Sequence, residues 1–395
     1  MKKLYFLISL MFIAASGFAQ WTYINSGTHN NLSSIFFANG NTAYAGTFSG
    51  DTILKTTNAG MNWIKLSTGL PDAIRSVFFT SSDTGFAVGG NGGIGQGIVL
   101  KTTNGGANWV NHATGDEDAI SSVYFTDDRI GYIVGQSGKI FKTLNGGINW
   151  IAQTSGINDW LNSVYFINAN IGFAVGEYGT ILKTTNGGTI WTKQTISTND
   201  NLESVFFPSH DTGYAVGQGG AILKTIDFGA NWTIQTSGET YELLSVFCTS
   251  PDTGYAVGWS GKILKTTDGG INWVQQISST GVDLTSVFFT DANTGYAVGG
   301  NGTILKTING GDFVEENQLA ESAINIFPNP TNDNLTIETT EKATIEILNI
   351  EGQTIMTINT AVKQTSIDVS NLSSGVYIIK AKTERGVAVK KFIKE

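Results

Sequence analysis

Gly254-Tyr-Ala-Val-Gly-Trp-Ser-Gly-Lys-Ile-Leu-Lys-Thr-Thr-Asp-Gly-Gly-Ile-Asn-Trp273 is the stretch that decides the fold. It reads as strand, tight turn, strand, tight turn, and then a Trp that opens a third strand. The unit recurs. Trp stands at 21, 63, 109, 150, 191, 232 and 273, and Phe313 takes the next place, with spacings of 42, 46, 41, 41, 41, 41 and 40 residues. A period near 41 with about four strands per unit is the pattern of a β-propeller.

Each unit has four parts. The first is a Ser-Val-Phe-Phe-like strand at 34–37, 76–79, 122–125, 163–166, 204–207, 245–248 and 286–289. Its continuous apolar character predicts the innermost strand, packed on both faces. The second is Gly-Tyr-Ala-Val-Gly, starting at Gly85, Gly131, Gly172, Gly213, Gly254 and Gly295, with Tyr44-Ala-Gly46 as a weak first copy. The third is Ile-Leu-Lys-Thr-Thr, centred on Lys55, Lys101, Lys142, Lys183, Lys224, Lys265 and Lys306; the fourth is the strand that the Trp opens. Counting the third part gives seven blades. A Lys demanded in every blade serves the blade, its stem on apolar surface and its ammonium in water. Trp21-Thr-Tyr-Ile24 has no inner strands before it, and the last unit fades after Gly311. We therefore expect 21–24 to complete the seventh blade as its outer strand, which removes a free sheet edge.

The third and fourth strands are joined by Thr-x-Asn/Asp-x-Gly-x-x-Trp, as in 266–273. The Thr hydroxyl and the Asn or Asp side chain bond nearby backbone N–H groups, the Gly accepts a positive φ, and the Trp buries a large ring between blades. This turn resembles the Asp-box of bacterial-neuraminidase-type repeats. The wider unit over 21–313 resembles the propeller of the photosystem II stability/assembly factor family, which implies fold far more than function.

Residues 314–323 break the period and are polar, so they read as a linker. The tail, 324–395, carries strand-like runs at 335–338, 344–348, 354–358, 366–369, 376–381 and 387–393 with turns between them, which predicts a small Ig-like β-sandwich. Its Ile326-Phe-Pro328-Asn329-Pro330, Leu372-Ser-Ser-Gly375-Val-Tyr377 and closing Lys390-Lys391-Phe-Ile-Lys394 resemble a type IX secretion C-terminal sorting domain. The resemblance implies contact with that secretion machinery, passage through the outer membrane, and removal of the tail with surface attachment or release. The domain plan is therefore 1–19 signal peptide, 20–313 all-β seven-bladed propeller, 314–323 linker and 324–395 sorting domain. Lys2 and Lys3 precede an apolar run too short to span a membrane, and Gly17-Phe18-Ala19 fits cleavage between Ala19 and Gln20. An integral membrane protein is not expected, and a net charge of −9 argues against nucleic acid. A photosystem role is not expected, since the tail sends the chain outside a different kind of cell.

No catalytic constellation stands out, and neither a cofactor nor a metal is expected. His29, His112 and His210 lie in different repeats with no ligand-like spacing. Cys248 stands in for the second Phe of an inner strand, which predicts packing. The glycine-rich segment 89–97 is followed by a strand rather than a helix, so it reads as an enlarged hairpin loop. Sialidase chemistry would need an arginine cluster, and the propeller holds only Arg75 and Arg129, assigned to loops on opposite faces.

Positions constant in every blade maintain the ring, so function is free to use the variable ones. Variation concentrates in the fourth-to-first and second-to-third loops, which emerge on one face. That face offers Arg75, Asp159, Trp160, Glu203, Tyr241 and Glu242 from the first set and Phe48, Glu177, Tyr178 and Trp259 from the second. Aromatics beside acids suit stacking on sugars or anchoring a polypeptide. The expectation is a secreted or outer-membrane-attached binding or scaffold propeller, after periplasmic transit, for a glycan or an envelope protein. The alternative is an extracellular polysaccharide hydrolase, with paired carboxylates among Asp159, Glu177, Glu203 and Glu242.

Overall fold

The structure is a computed structural model. It describes residues 20–90, 97–112, 114–312, 324–339, 342–349, 353–360, 364–383 and 386–395. The leader, most of the glycine-rich segment 89–97 and the linker lie outside the described residues. The chain divides into two compact units, one ending at Asp312 and one formed by the C-terminal tail.

Seven four-stranded antiparallel sheets make the first unit. Blade one is Leu32–Phe37, Ala43–Thr47, Thr52–Thr56 and Ile64–Ser67, and the other six repeat this plan. The seventh, Leu284–Phe289, Gly295–Gly299 and Ile304–Thr307, takes Thr22–Ile24 as its outer strand, with Tyr23 opposite Leu305. The ring is thus closed by the first strand of the chain. Seven hydrophobic clusters fill the seven junctions, each drawn from two neighbouring blades; Trp21, fully buried, belongs to the one between blades six and seven.

One expectation is corrected. The first strand of each blade is innermost, but it is not packed on both faces. Its residues alternate between buried and half-buried, while every residue of the second strand is buried. The first strand turns one face to the central channel, and the second lies between flanking sheets. Cys248 is buried in the junction of blades five and six, and burial pushes its thiol up, which fits packing.

The turn before each Trp is tied as its residues require. In blade six the Thr266 hydroxyl donates to Asp268 Oδ1 at 2.9 Å and accepts the Gly270 N–H at 2.8 Å. Asp268 Oδ1 also accepts the Asn272 N–H at 2.9 Å. That bond, with a second from the Asn272 amide, holds the Asp268 carboxyl below the usual carboxylate range. Gly269 and Gly270 sit at φ 70° and 87°, which a side chain would strain.

A second correction concerns the repeated lysines. Their ammonium groups are not left to water. Lys55, Lys101, Lys142 and Lys224 donate to the carbonyls of Gly105, Gly146, Gly187 and Gly269, at 2.6–2.7 Å, each in the next blade's turn. Lys183 reaches Phe228, Lys306 reaches Ala59 of blade one, and Lys265 pairs with Asp312. Each also lies over an aromatic ring of its own blade, at 5.2–5.8 Å. The tyrosine hydroxyls of that ring position join in, as Tyr132 does on Gly187 at 2.8 Å.

The second unit has a three-stranded sheet built on Asn334–Thr339 and a four-stranded sheet whose last two strands are Gly375–Thr383 and Gly386–Lys394. Ile324, Leu335 and Ile337 from one sheet share a core with Ile345, Ile379 and Phe392 from the other.

Closure through a fully buried indole makes a sharp prediction. Trp21→Ala should destabilise the propeller by about 3–5 kcal/mol, read as a fall in thermal midpoint. A loss under about 1 kcal/mol would mean that the first strand does not close the ring.

Candidate functional site

Both variable loop sets meet on one face. In every blade the first residue of the second-to-third turn donates its N–H to the carbonyl just before the first strand. Trp259 reaches Glu242 at 3.0 Å, Glu177 reaches Trp160 at 2.9 Å and Phe48 reaches Asn31 at 2.9 Å. The ladder between first and second strands shifts register at one residue in each blade, as between Leu202 and Ser204. The extra residue leaves the ladder at the mouth of the channel. Around the ring these residues are Ser33, Arg75, Ser121, Asn162, Glu203, Leu244 and Thr285. Arg75 and Glu203 therefore sit on strands, Ile74–Phe79 and Leu202–Phe206, and not in the loops to which the sequence assigned them.

Beneath the mouth comes a layer of seven serines. Those at 122, 163, 204, 245 and 286 accept the N–H of the next blade's inner strand at 3.2–3.3 Å. Below them, Phe36, Phe78, Tyr124, Tyr165, Phe206, Phe247 and Phe288 form an unbroken aromatic annulus, with neighbouring centroids 4.7–5.5 Å apart. The mouth is the top of a cup whose floor is aromatic.

Arg75 lies over the Trp160 ring at 5.4 Å, and its Nε donates to the Gly90 carbonyl at 3.4 Å. Burial lowers its pKa. Trp160 is half-buried, and its indole donates to the Ser121 hydroxyl at 2.6 Å. Glu177 accepts the Trp160 N–H at 3.4 Å. Burial first, then the charges of Glu242 and Glu177, push the Glu203 carboxyl up to about 7. Burial and Asp283 raise Glu242 as well.

The ten sequence-derived residues thus divide. Arg75, Trp160, Glu177, Glu203 and Glu242 converge on the mouth. Asp159 does not: its carboxylate accepts Thr180 at 2.9 Å and pairs with Lys193 at 3.2 Å. Phe48, Tyr178, Tyr241 and Trp259 are exposed on the surrounding loops, with Tyr241 beneath the Lys262 ammonium. Phe48 lines a groove of about 530 Å³ with Asn31, Leu244, Val282, Asp283 and Thr285. Sequence reasoning missed Leu244, Thr285 and the groove. The available signal was the residue before each repeated serine, which changes from blade to blade. Arg129 lies at the opposite end, in the turn after Ile120–Phe125.

In the tail unit the sorting residues from its two ends meet. Asn329 donates to the Lys391 carbonyl at 3.1 Å and accepts the Ile393 N–H at 2.9 Å, which stitches the Pro328-Asn329-Pro330 segment to the final strand. Tyr377, on the strand that begins at Gly375, donates to Ser373 at 2.8 Å and stacks on Phe392. Lys390 and Lys391 lie on the last strand.

The profile described as Secretion system C-terminal sorting domain matches residues 325–395. That domain directs export by the type IX system to the cell surface or the medium. Among the described residues, no helix is long and apolar enough to cross a membrane. No curated protein sequence matches the chain. Among solved structures, a YCF48 bound to D1 peptide is similar over 74% of this chain and 98% of its own, at 19% identity and a TM-score of 0.63. A GH74 xyloglucanase from Xanthomonas campestris covers 91% of this chain and 59% of its own, at 13% identity and 0.63. PorZ, a surface component of the type IX secretion system of Porphyromonas gingivalis, covers 93% and 59%, at 10% and 0.55. At these identities each likeness shows the fold. The profile described as Photosynthesis system II assembly factor YCF48 matches at 105–192, 150–239 and 233–308, more than half of the chain, and to that family the chain belongs.

Proposed function

We propose that the exported propeller is a binding module whose ligand, a polypeptide or a glycan of the cell exterior, seats at the channel mouth. One observation carries this reading. The residues that build the ring repeat in every blade, whereas the seven mouth positions vary and set Arg75, stacked on Trp160, across the opening from Glu203. Charged and aromatic groups at the open end of a rigid cup suit recognition. The peptide bound by the YCF48 neighbour supports a polypeptide ligand.

Glu203 supports a second reading. A carboxyl raised to about 7 in a group of acids with Glu177 and Glu242 is of the kind that serves a glycosidase as general acid. The xyloglucanase neighbour adds weight to it.

Three outcomes are expected. On a glycan array and in capture of cell-envelope proteins, the chain without its leader should bind a ligand that Trp160→Ala releases by at least tenfold; equal binding by the variant would contradict a mouth site. A polysaccharide screen should show no hydrolysis; turnover abolished by Glu203→Gln would replace the binding reading with the hydrolase. Deletion of 324–395 should leave the protein in the periplasm, and equal surface delivery without the tail would refute its role.

Glu203 also predicts a pH dependence of stability. Its folded pKa lies above its unfolded value, so the folded state holds the proton longer, and stability falls as pH rises from about 4.5 to about 7. Glu203→Gln should remove that slope and raise stability at pH 8 by about 1–3 kcal/mol. An unchanged slope in thermal melts would contradict the assigned burial.

A further inference from the structure

We infer that the channel mouth recognises a cationic polypeptide segment, seating an ammonium group against Glu203, with Glu177 and Glu242 beside it, and turning the chain's oxygen atoms toward Arg75. This deepens the binding reading above and rests on it.

The argument begins with the mouth positions. Seven equivalent residues ring the channel, and five of them are neutral. The two charged ones, Arg75 in blade two and Glu203 in blade five, have opposite sign and lie three blades apart in a ring of seven, so they face each other across the opening. They form no ion pair with each other. Arg75 is occupied by the Trp160 ring and the Gly90 carbonyl. Glu203 makes no hydrogen bond and no ion pair among the described residues. A half-buried carboxylate without a protein partner is partly desolvated with no compensating contact. A ligand cation supplies what is missing. Glu177 and Glu242 add field of the same sign, which selects a cation and repels an anion at this side.

The rest of the cup says what carries that cation. The aromatic annulus narrows the channel beneath the serines, and the variable face is where a ligand meets Glu203 and Arg75. From the mouth residues Leu244 and Thr285, the groove of about 530 Å³ leads outward past Val282 to Phe48. It offers apolar surface together with the amides of Asn31 and Asn301, a combination that fits an extended chain with alternating side chains and peptide groups. A neutral glycan can offer Glu203 hydroxyl donors but no positive charge. A lysine side chain and a chain N-terminus share the ammonium chemistry, and the experiment separates them.

Peptides should be selected from a random 12-residue library on the full chain without its leader and measured by fluorescence polarisation. Selected peptides should carry a required lysine or free N-terminus. Acetylating that amine should weaken binding at least tenfold, and acetylating lysines or N-termini separately identifies the source. Glu203→Gln should weaken binding at least tenfold with no fall in thermal midpoint, since it removes an unpaired buried charge. Arg75→Gln should weaken it at least threefold, and Lys65→Ala, on the exposed outer strand of blade one, should leave it unchanged. Enrichment of no peptide, full affinity after complete acetylation, or full affinity in Glu203→Gln would each overturn the inference. A glycan or protein whose binding Trp160→Ala still weakens would then leave the binding reading standing alone; the absence of any mouth-dependent ligand would remove both.

Discussion

The junction between blades depends on a lysine ammonium held by a carbonyl of the next blade's turn. The carbonyl is available because the turn is fixed from within. Its Thr hydroxyl and Asn or Asp carboxamide or carboxylate take the backbone N–H groups, and its glycines adopt positive φ. The turn also has to let an aromatic ring of the preceding blade come close. A Cβ on Gly147 would stand 2.4 Å from the Phe86 ring. Turn, lysine and ring are thus one device, repeated at each junction. Charge-assisted bonds of this kind each contribute on the order of 1.5–3 kcal/mol. Six of them, the Lys265–Asp312 pair and the seven apolar junctions hold a ring whose outermost strands are only two to four residues long.

That device explains which residues are free. The second and third strands and the turn before the Trp are committed to neighbours, and the opposite face carries the variation. There the bulge in each inner strand releases one residue from the ladder, so that a rigid ring presents seven independent choices at its mouth. Arg75 and Glu203 are two such choices. The scaffold keeps them apart across the channel and half out of water, which is why their charges are perturbed and the carboxylate is left without a partner. The sorting domain marks the chain for type IX export to the cell surface or the medium.

Much of this was legible in the chain. The seven copies of Ile-Leu-Lys-Thr-Thr gave seven blades, and the orphan strand at Trp21 gave the closure. The Thr–Asn/Asp–Gly turn could be read because its partners lie within four residues. The lysine contact could not, since Lys101 and Gly146 are 45 residues apart and only the stacking of blades brings them together. The same holds for Arg75 and Trp160, which meet from blades two and four. A run of apolar residues also misled: Ser-Val-Phe-Phe reads as a strand buried on both sides, but its alternate aromatics line a channel, and burial is complete one strand further out. Asp159 looked like its neighbours Trp160 and Glu177 in the sequence, and a local ion pair with Lys193 takes it out of the site.

The central claim is that repeated residues hold the ring while unrepeated residues at its mouth bind. Thermal midpoint and ligand affinity, measured together on Lys142→Met and Trp160→Ala, test it most directly. Lys142→Met should lower the midpoint and leave affinity unchanged, and Trp160→Ala should cut affinity at least tenfold with a smaller loss of stability. Loss of binding in the lysine variant, with none in the tryptophan variant, would contradict the account.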